Sequence, residues 1–194
     1  MSARLPASER REQLLAVALQ VFAREGFHGT AMSDVAEAAG VTKPVLYQHF
    51  SSKRELYLAL LDEVGMALRT TIAKATSDAA SPHEQVQRGF SAWFSWVAHE
   101  RDGFKLLFGS GNRRDAEFAA SVRHVEDALS EAIAPLITAA IDGAHQETLA
   151  WAIVGMAETT ARRLVASGEP IDAEVVAPQV AELAWAGLRG LRPA

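Results

Sequence analysis

The segment Lys43–His49 carries an unusual set of hydrogen-bonding side chains for so short a helix. It reads KPVLYQH. In a helix, Lys43 and Tyr47 lie four residues apart and share a face, with Pro44 and Gln48 beside them. The proline suits the first helical turn, where its missing N–H leaves no helical bond unmade. Such a ridge of donors and apolar groups has the size to enter a DNA major groove, which is about 12 Å wide.

The side chains of this segment predict separate contacts with duplex DNA. Lys43 can donate to guanine, and Gln48 can pair with adenine. Pro44 and Val45 are apolar and can touch a thymine methyl group. Predicted phosphate contacts come from Tyr47, His49 and Lys53, together with Thr30 and Ser33 at the start of the preceding helix. A solvated helix also carries Lys and Gln, and Tyr47 could instead pack on the next helix, so the motif is stronger than its parts.

The elements that must position these residues are helices throughout. Apolar residues recur at helical spacing along the chain, and we find no alternating strand pattern, which predicts an all-α fold. Gly26 is predicted to end a first helix, Thr30 to cap a second and Thr42 to cap a third. Gly40, between the second and third helices, gives the tight bend of a helix-turn-helix. A capping box, Ser52-x-x-Glu55, starts a long fourth helix that could join two bodies.

The rest of the chain predicts a larger helical domain. A stripe of apolar residues from Phe118 to Ile137 predicts one long helix ending near Gly143. Two further helices are expected over residues 145–167 and 173–190, where Pro178 should kink the last one or mark its start. Aromatic residues also recur at helical spacing from Phe90 to Trp96, and again in the glycine-containing segment at residues 101–115 that follows.

Composition limits the possible functions. The chain has 194 residues, no cysteine and a net charge of -5. Residues 1–55 hold seven basic and six acidic residues, so the acidity lies in the larger remainder. The start MSARLPASERR lacks the apolar run of a signal peptide, and no stretch reaches the ~20 apolar residues of a membrane span, which predicts a soluble cytoplasmic protein. The scattered histidines favour no metal site, and no cofactor or catalytic residue is predicted.

One glycine-rich segment, FGSGNRRD at residues 108–115, has letters typical of a phosphate cradle. It lacks the spacing and the lysine of a P-loop, so we expect a turn with exposed arginines instead.

Two longer stretches carry a family resemblance. VFAREGFHGTAMSDVAEAAG and VTKPVLYQHFSSKREL, at residues 21–56, resemble the DNA-binding part of the TetR family of bacterial transcriptional regulators. The chain departs from the family pattern at Ala31, where a hydroxyl is frequent, and at Ser33, where arginine is common, so a phosphate contact there is expected to be weak or missing. The resemblance implies that the residues facing the DNA are Thr30, Ser33, Thr42, Lys43, Pro44, Val45, Tyr47, Gln48, His49 and Lys53.

The resemblance also implies the layout of the whole chain. Residues 1–55 would form the DNA-binding domain, and residues 56–194 would form a domain for effector binding and dimerisation. The last two helices would pair with those of a second copy, which gives a homodimer on a pseudo-palindromic double-stranded operator. A small-molecule effector would release the DNA, and the regulator would act as a repressor.

A pocket for that effector is predicted around a set of aromatic residues with one charged pair. An ordinary core is the plain alternative for the aromatic residues, and a surface pair at i,i+4 spacing is the alternative for the charged ones. The predicted pocket residues are Trp93, Trp96, Phe104, Phe108, Trp151, Glu158 and Arg162. Two other functions stay open at this point: an enzyme, or a helical ligand-binding protein that uses the helix-turn-helix for protein contact.

Overall fold

The computed structural model describes residues 6–109, 111–137 and 141–191. These residues form helices and connecting turns, which confirms the all-α prediction. Short 3-10 turns lie at Asn112–Arg114 and Ala134–Leu136. The helices are α1 (Ala7–Gly29), α2 (Met32–Ala38), α3 (Lys43–His49), α4 (Lys53–Thr76), α5 (Pro82–His99), α6 (Arg101–Phe108), α7 (Ala116–Ile133), α8 (Gly143–Ser167) and α9 (Ala173–Leu188).

The chain packs as two units. The first unit contains Met1–Val64 and Asp102–Ser121, and the second contains Gly65–Arg101 and Val122–Ala194. Helices α4 and α7 therefore each begin in the first unit and end in the second. The predicted boundary at residues 55 and 56 separates a DNA-binding function from effector binding and dimerisation. It stays a prediction.

The first unit has a core built on α1. Leu14, Leu15 and Ala18 of this helix are buried, and Leu46 of α3 is buried with them. Phe50, just after α3, is also inaccessible, as the four-residue spacing from Leu46 predicts. Burial of these apolar side chains anchors the short helix α3, which has too few residues to be stable alone.

Several helix ends in the first unit differ in detail from the sequence prediction. Gly26 has φ 71°, so it interrupts α1 before the last residues of that helix. Ala31 rather than Thr30 is the N-cap of α2, and its N–H donates to the Asp34 carboxylate over 2.7 Å. Thr30 fails as the cap because its hydroxyl donates backwards, to the carbonyl of Gly26.

The capping box at the start of α4 is only half formed. The hydroxyl of Ser52 accepts from the N–H of Glu55 over 3.1 Å, as predicted. The carboxylate of Glu55 accepts instead from the N–H of Ser51, one residue earlier, over 2.7 Å. The hydrogen bonds from Ser51 lower the pKa of Glu55.

The second unit is a helical body in which α5 packs along α9. Phe90, Phe94 and Val97 of α5 are buried, as are Ala177 and Ala181 of α9. The predicted long helix ends at Ile133, well before Gly143, because Pro135 follows in a 3-10 turn and Pro lacks the donor that a continuing α-helix needs.

Two features of the last helices also bear on the sequence prediction. Gly143 begins α8 rather than ending the helix before it. Pro178 lies inside α9, so it does not mark the start of that helix. Within residues 6–109, 111–137 and 141–191, we find no helix with the length and apolar character to cross a membrane.

Candidate nucleic-acid interface and cavity

The turn between α2 and α3 fixes how α3 is presented. Gly40 has φ 64°, a left-handed conformation that side chains disfavour. The N–H of Val41 donates to the carbonyl of Ala36 over 2.9 Å, and that of Gly40 donates to Glu37 over 3.0 Å. This 6→1 bond after a left-handed glycine is a Schellman ending. It stops α2 abruptly and allows α3 to start three residues later.

Helix α3 has one buried side and one exposed side. Leu46 is fully buried, whereas Tyr47 keeps 48% of its surface exposed. The Tyr47 ring is therefore available for contact with a partner, while Leu46 anchors the helix in the core. The exposed residues of the segment are Thr42, Lys43, Pro44, Tyr47 and Gln48, and Val45 and His49 are partly exposed.

The start of α3 is also open to solvent. Thr42 is its N-cap by backbone geometry, and its carbonyl accepts from the N–H groups of Val45 and Leu46 over 3.0 and 3.2 Å. Its hydroxyl makes no capping bond, so it can reach an external acceptor. Pro44 lies in the first turn, as the sequence predicts.

Two predicted phosphate contacts have other surroundings. Thr30 is only 2% exposed, and its hydroxyl donates to Gly26. Ser33, partly exposed at the start of α2, has its hydroxyl 3.5 Å from the carboxylate of Asp34. The spacing of residues before α2 does not reveal that the Thr30 side chain is buried.

Lys53 has strong partners within the chain. Its ammonium donates to the carbonyls of Phe27 and Thr30, each over 2.7 Å, and lies 4.5 Å from the centre of the Phe27 ring. Those carbonyls lie at the end of α1, where helix carbonyls lack partners and cations are favoured. A phosphate contact by Lys53 stays a prediction, and the structure gives this residue a bracing role between α1 and α4.

The second unit contains a cavity of about 530 Å³. This volume is within the usual range for small-molecule sites, which are mostly apolar with a few polar groups. Among the described lining residues, the charged ones are Arg69 of α4 and Arg189 after α9, and no carboxylate is present. Apolar walls come from Met66, Ile72, Val86, Phe90, Trp93, Leu129, Ile133, Ile153, Val154, Trp185 and Leu188.

The predicted pocket residues are distributed over both units. Trp93 lines the cavity, and it is 3% exposed. Phe104 and Phe108 belong to the first unit, where their ring centres lie 5.1 Å apart. Trp96, Trp151, Glu158 and Arg162 belong to the second unit but are not among the described lining residues.

The charged pair and the cavity arginines differ in their surroundings. Arg162 donates to the carboxylate of Glu158 on the same face of α8, as i,i+4 spacing allows. Arg69 and Arg189 are exposed at the cavity and were missed by sequence reasoning. A signal for Arg69 is present in hindsight: it continues α4 beyond Leu68, in the half of the helix that belongs to the second unit.

A short helix with a buried anchor and an exposed polar ridge, placed after a tight turn, defines a helix-turn-helix protein of the DNA-binding class. The second unit adds a cavity whose size and apolar lining are typical of a small-molecule site. Profiles of known families agree with this class. The profile described as "Bacterial regulatory proteins, tetR family" matches residues 14–60. The profile described as "Tetracyclin repressor-like, C-terminal domain" matches residues 82–187. The chain belongs to the TetR family of transcriptional regulators.

The similarity to individual relatives extends over almost the whole chain. The chain is 33% identical over 187 residues to the HTH-type transcriptional activator FasR of Mycolicibacterium smegmatis, which covers 95% of this chain and 85% of that protein. A solved TetR-like transcriptional regulator from Rhodococcus sp. RHA1 is also 33% identical, with a TM-score of 0.80 over 97% of this chain and 100% of the other.

A more distant structure shares the fold alone. The transcriptional regulator FadR from Bacillus subtilis, solved in complex with stearoyl-CoA, is 19% identical with a TM-score of 0.78. The match covers 93% of this chain and 99% of that one.

Proposed function

We propose that this protein is a homodimeric regulator that binds a pseudo-palindromic operator through two copies of α3. The observation that carries the proposal is the exposed ridge of Lys43, Tyr47 and Gln48 above the buried Leu46. Amide and ammonium groups at this spacing can read base edges, while neighbouring groups bind phosphates. A regulator with this function would act in the cytoplasm, where the operator DNA lies.

The dimer is proposed to form through α8 and α9. These helices leave large apolar side chains in water, with Trp151 42%, Val175 52% and Leu183 66% exposed. A second copy of the same surface would cover them, and a two-fold dimer presents two recognition helices about 34–36 Å apart. Leu183→Glu is expected to convert the dimer to a monomer in sedimentation, and an unchanged dimer would contradict this interface.

The effector is proposed to be a long apolar molecule with an anionic group. The apolar cavity walls suit a hydrocarbon chain, while Arg69 and Arg189 suit an anion because both are exposed cations at the cavity. An acyl-CoA has this chemistry, and stearoyl-CoA is bound by the distant structural relative FadR. The effector favours an arrangement with weaker DNA affinity, so by linkage DNA weakens effector binding by the same factor.

The sign of regulation depends on where the operator lies. We propose a repressor, released from DNA by the effector. A second candidate, activation, is favoured by the name of the M. smegmatis relative, a transcriptional activator. A reporter placed behind the selected operator distinguishes the two, since deletion of the regulator raises expression under a repressor and lowers it under an activator.

The test starts from a pool of random duplexes, from which the wild-type protein selects its operator. Stearoyl-CoA added to that complex is expected to release the DNA, whereas coenzyme A, which has the anion without the chain, should not. Ala73→Trp places an indole into the cavity from an exposed position on α4. This variant should bind DNA normally and ignore stearoyl-CoA. Failure to select any duplex contradicts DNA recognition, and release of the variant contradicts the cavity as the effector site.

A further inference from the structure

A buried hydrogen bond joins α4 to the turn that follows α6. The hydroxyl of Tyr57 donates to Asn112 Oδ1 over 2.7 Å, and the two residues are 6% and 4% exposed. Asn112 donates in turn to the carbonyls of Leu106 and Leu107 over 2.5 and 3.0 Å. Burial raises the pKa of Tyr57 to about 12. The asparagine therefore uses both ends of its amide to tie the end of α6 to α4.

An ion pair lies beside this bond, one turn earlier on α4. Arg54 donates to both oxygens of Asp115 over 3.1 and 2.7 Å, and to Glu117 over 2.7 Å. Asp115 also accepts from the N–H groups of Glu117 and Phe118, so it caps the start of α7 as well. A guanidinium that grips a carboxylate through two bonds fixes geometry as well as charge. We call the four residues Arg54, Tyr57, Asn112 and Asp115 the α4 latch.

The latch is packed against the body that carries the recognition helix. The Tyr57 ring lies 4.9 Å from Phe22 and 5.1 Å from Phe27 of α1, and 4.7 Å from Phe118 of α7. Lys53, next to Arg54, holds the carbonyl of Thr30 just before α2. The first turns of α4 thus connect the latch to the start of the helix-turn-helix.

The same two helices reach the cavity at their other ends. Met66, Arg69 and Ala73 of α4 line it, and Leu129 and Ile133 of α7 do so too. A continuous helix transmits a shift along its axis because its backbone is stiff. An occupant of the cavity that displaces the end of α4 relative to that of α7 would therefore strain the bonds between their first turns.

We propose that the α4 latch belongs to the DNA-binding arrangement of the protein and opens when the effector binds, so Tyr57 and Asn112 are positioning residues for operator recognition. The proposal rests on the function proposed above and names how its cavity is coupled to its DNA-binding surface. A bond present in one of two states shifts the balance between them when it is removed. Loss of the latch must therefore weaken DNA binding and tighten effector binding together.

A contact with a merely structural role behaves differently. If it is present in both states, its loss lowers the melting temperature and leaves both affinities unchanged. The opposite movement of the two affinities therefore distinguishes a latch from an ordinary brace.

The experiment uses the whole chain of residues 1–194, its selected duplex and stearoyl-CoA. Tyr57→Phe removes only the hydroxyl, and Arg54→Gln removes the ion pair at the surface, which guards against a variant that fails to fold. Each is expected to raise the Kd for DNA and to lower the Kd of free protein for stearoyl-CoA, and the two fold-changes should multiply to about 2- to 30-fold. The dependence of DNA affinity on salt should not change, because no phosphate contact is lost.

A matched control is available in the second unit. Arg88 pairs with Asp78 and Glu84 over 2.6 and 2.5 Å, without a role in the latch. Arg88→Gln should leave both affinities at their wild-type values. The proposal is overturned if Tyr57→Phe and Arg54→Gln leave both affinities unchanged, or if both affinities move in the same direction.

The wild-type protein separates this proposal from the function on which it rests. Wild-type protein that binds no duplex refutes the regulator itself. Wild-type protein that binds DNA but ignores stearoyl-CoA refutes the proposed effector. The DNA affinities of the variants then test whether the latch belongs to the DNA-binding arrangement, and unchanged affinities overturn it.

Discussion

Gly65 of α4 and Val125 of α7 approach so closely that a Cβ on Gly65 would lie 2.4 Å from Val125 Cγ2. Both residues belong to the second unit, and Gly65 is its first residue. Val125 is stiff at χ1 and buried, so it cannot easily turn aside. The glycine is therefore required by packing, even though glycine lowers the stability of a helix interior.

Gly65→Ala is consequently expected to destabilise the protein. Alanine is favoured over glycine in a helix by about 1 kcal/mol, but overpacking costs about 1–3 kcal/mol, so a net loss is expected. Urea unfolding would measure it. Val125→Ala should restore much of the loss when combined with Gly65→Ala, giving a favourable coupling between the two sites.

A second glycine serves as the control. A Cβ on Gly89 of α5 would meet Thr76 Cγ2 at an ordinary 3.7 Å. Gly89→Ala should therefore stabilise the protein by about 0.5–1 kcal/mol, the normal helix preference. Equal effects of the two glycine substitutions would contradict the packing argument.

Lys53→Met tests the bracing role of the Lys53 ammonium. Methionine keeps much of the stem but leaves the carbonyls of Phe27 and Thr30 without this donor, at an expected cost of about 1–3 kcal/mol in the free energy of unfolding. Because the ammonium is already engaged, the salt dependence of DNA binding should stay the same. Lys74→Met, at an exposed position near the end of α4, is the control and should change stability little. A shallower salt dependence in Lys53→Met would instead support the phosphate contact predicted from sequence.

The ion pair of Arg54 and Asp115 predicts a specific response to acid. The hydrogen bonds from Arg54 lower the pKa of Asp115 to about 2, from an ordinary value of about 3.9. A carboxyl whose pKa is lowered by folding contributes stability above its unfolded pKa and loses it as pH falls toward the folded value. The contribution of Asp115 should thus be constant from about pH 5 to 8 and vanish between about pH 4 and 2. NMR titration of its carboxyl carbon should give a midpoint near 2, and Arg54→Gln should raise that midpoint; a midpoint near 4 in the wild type would show that the pair does not form.

The recognition helix could be predicted from the sequence because its signals are local. The four-residue spacing of Leu46 and Phe50, the early Pro44 and the left-handed Gly40 all lie within residues 40–50. Local spacing of apolar residues also predicted correctly that most of the chain is helical. The predicted end of the helix near Gly143 was wrong, because the apolar stripe continues past Ile133 but Pro135 ends the helix there.

Contacts between distant residues could not be predicted in this way. Lys53 meets a carbonyl 26 residues earlier, and Tyr57 meets an asparagine 55 residues later. Asn112 lies in a segment predicted as a turn with exposed arginines; Arg114 is exposed, Ser110 lies outside the described residues, and the asparagine itself is buried. The cavity joins residues from five helices, so an aromatic stripe on one helix identified Trp93 alone among its walls.

The most direct measurement is the DNA affinity of the Lys43→Ala, Tyr47→Ala double variant on the duplex selected by the wild-type protein. Both side chains are exposed, so the variant should unfold at nearly the same urea concentration as the wild type. Loss of a specific base contact is worth about 1–3 kcal/mol, and the proposed dimer would use two such ridges. A double variant at exposed sites of the second unit, Lys74→Ala with Arg163→Ala, removes two positive charges away from α3, whereas the α3 variant removes one. The account predicts that the α3 variant loses specific binding while this control keeps it; an α3 variant that binds the duplex as tightly as the wild type would contradict it.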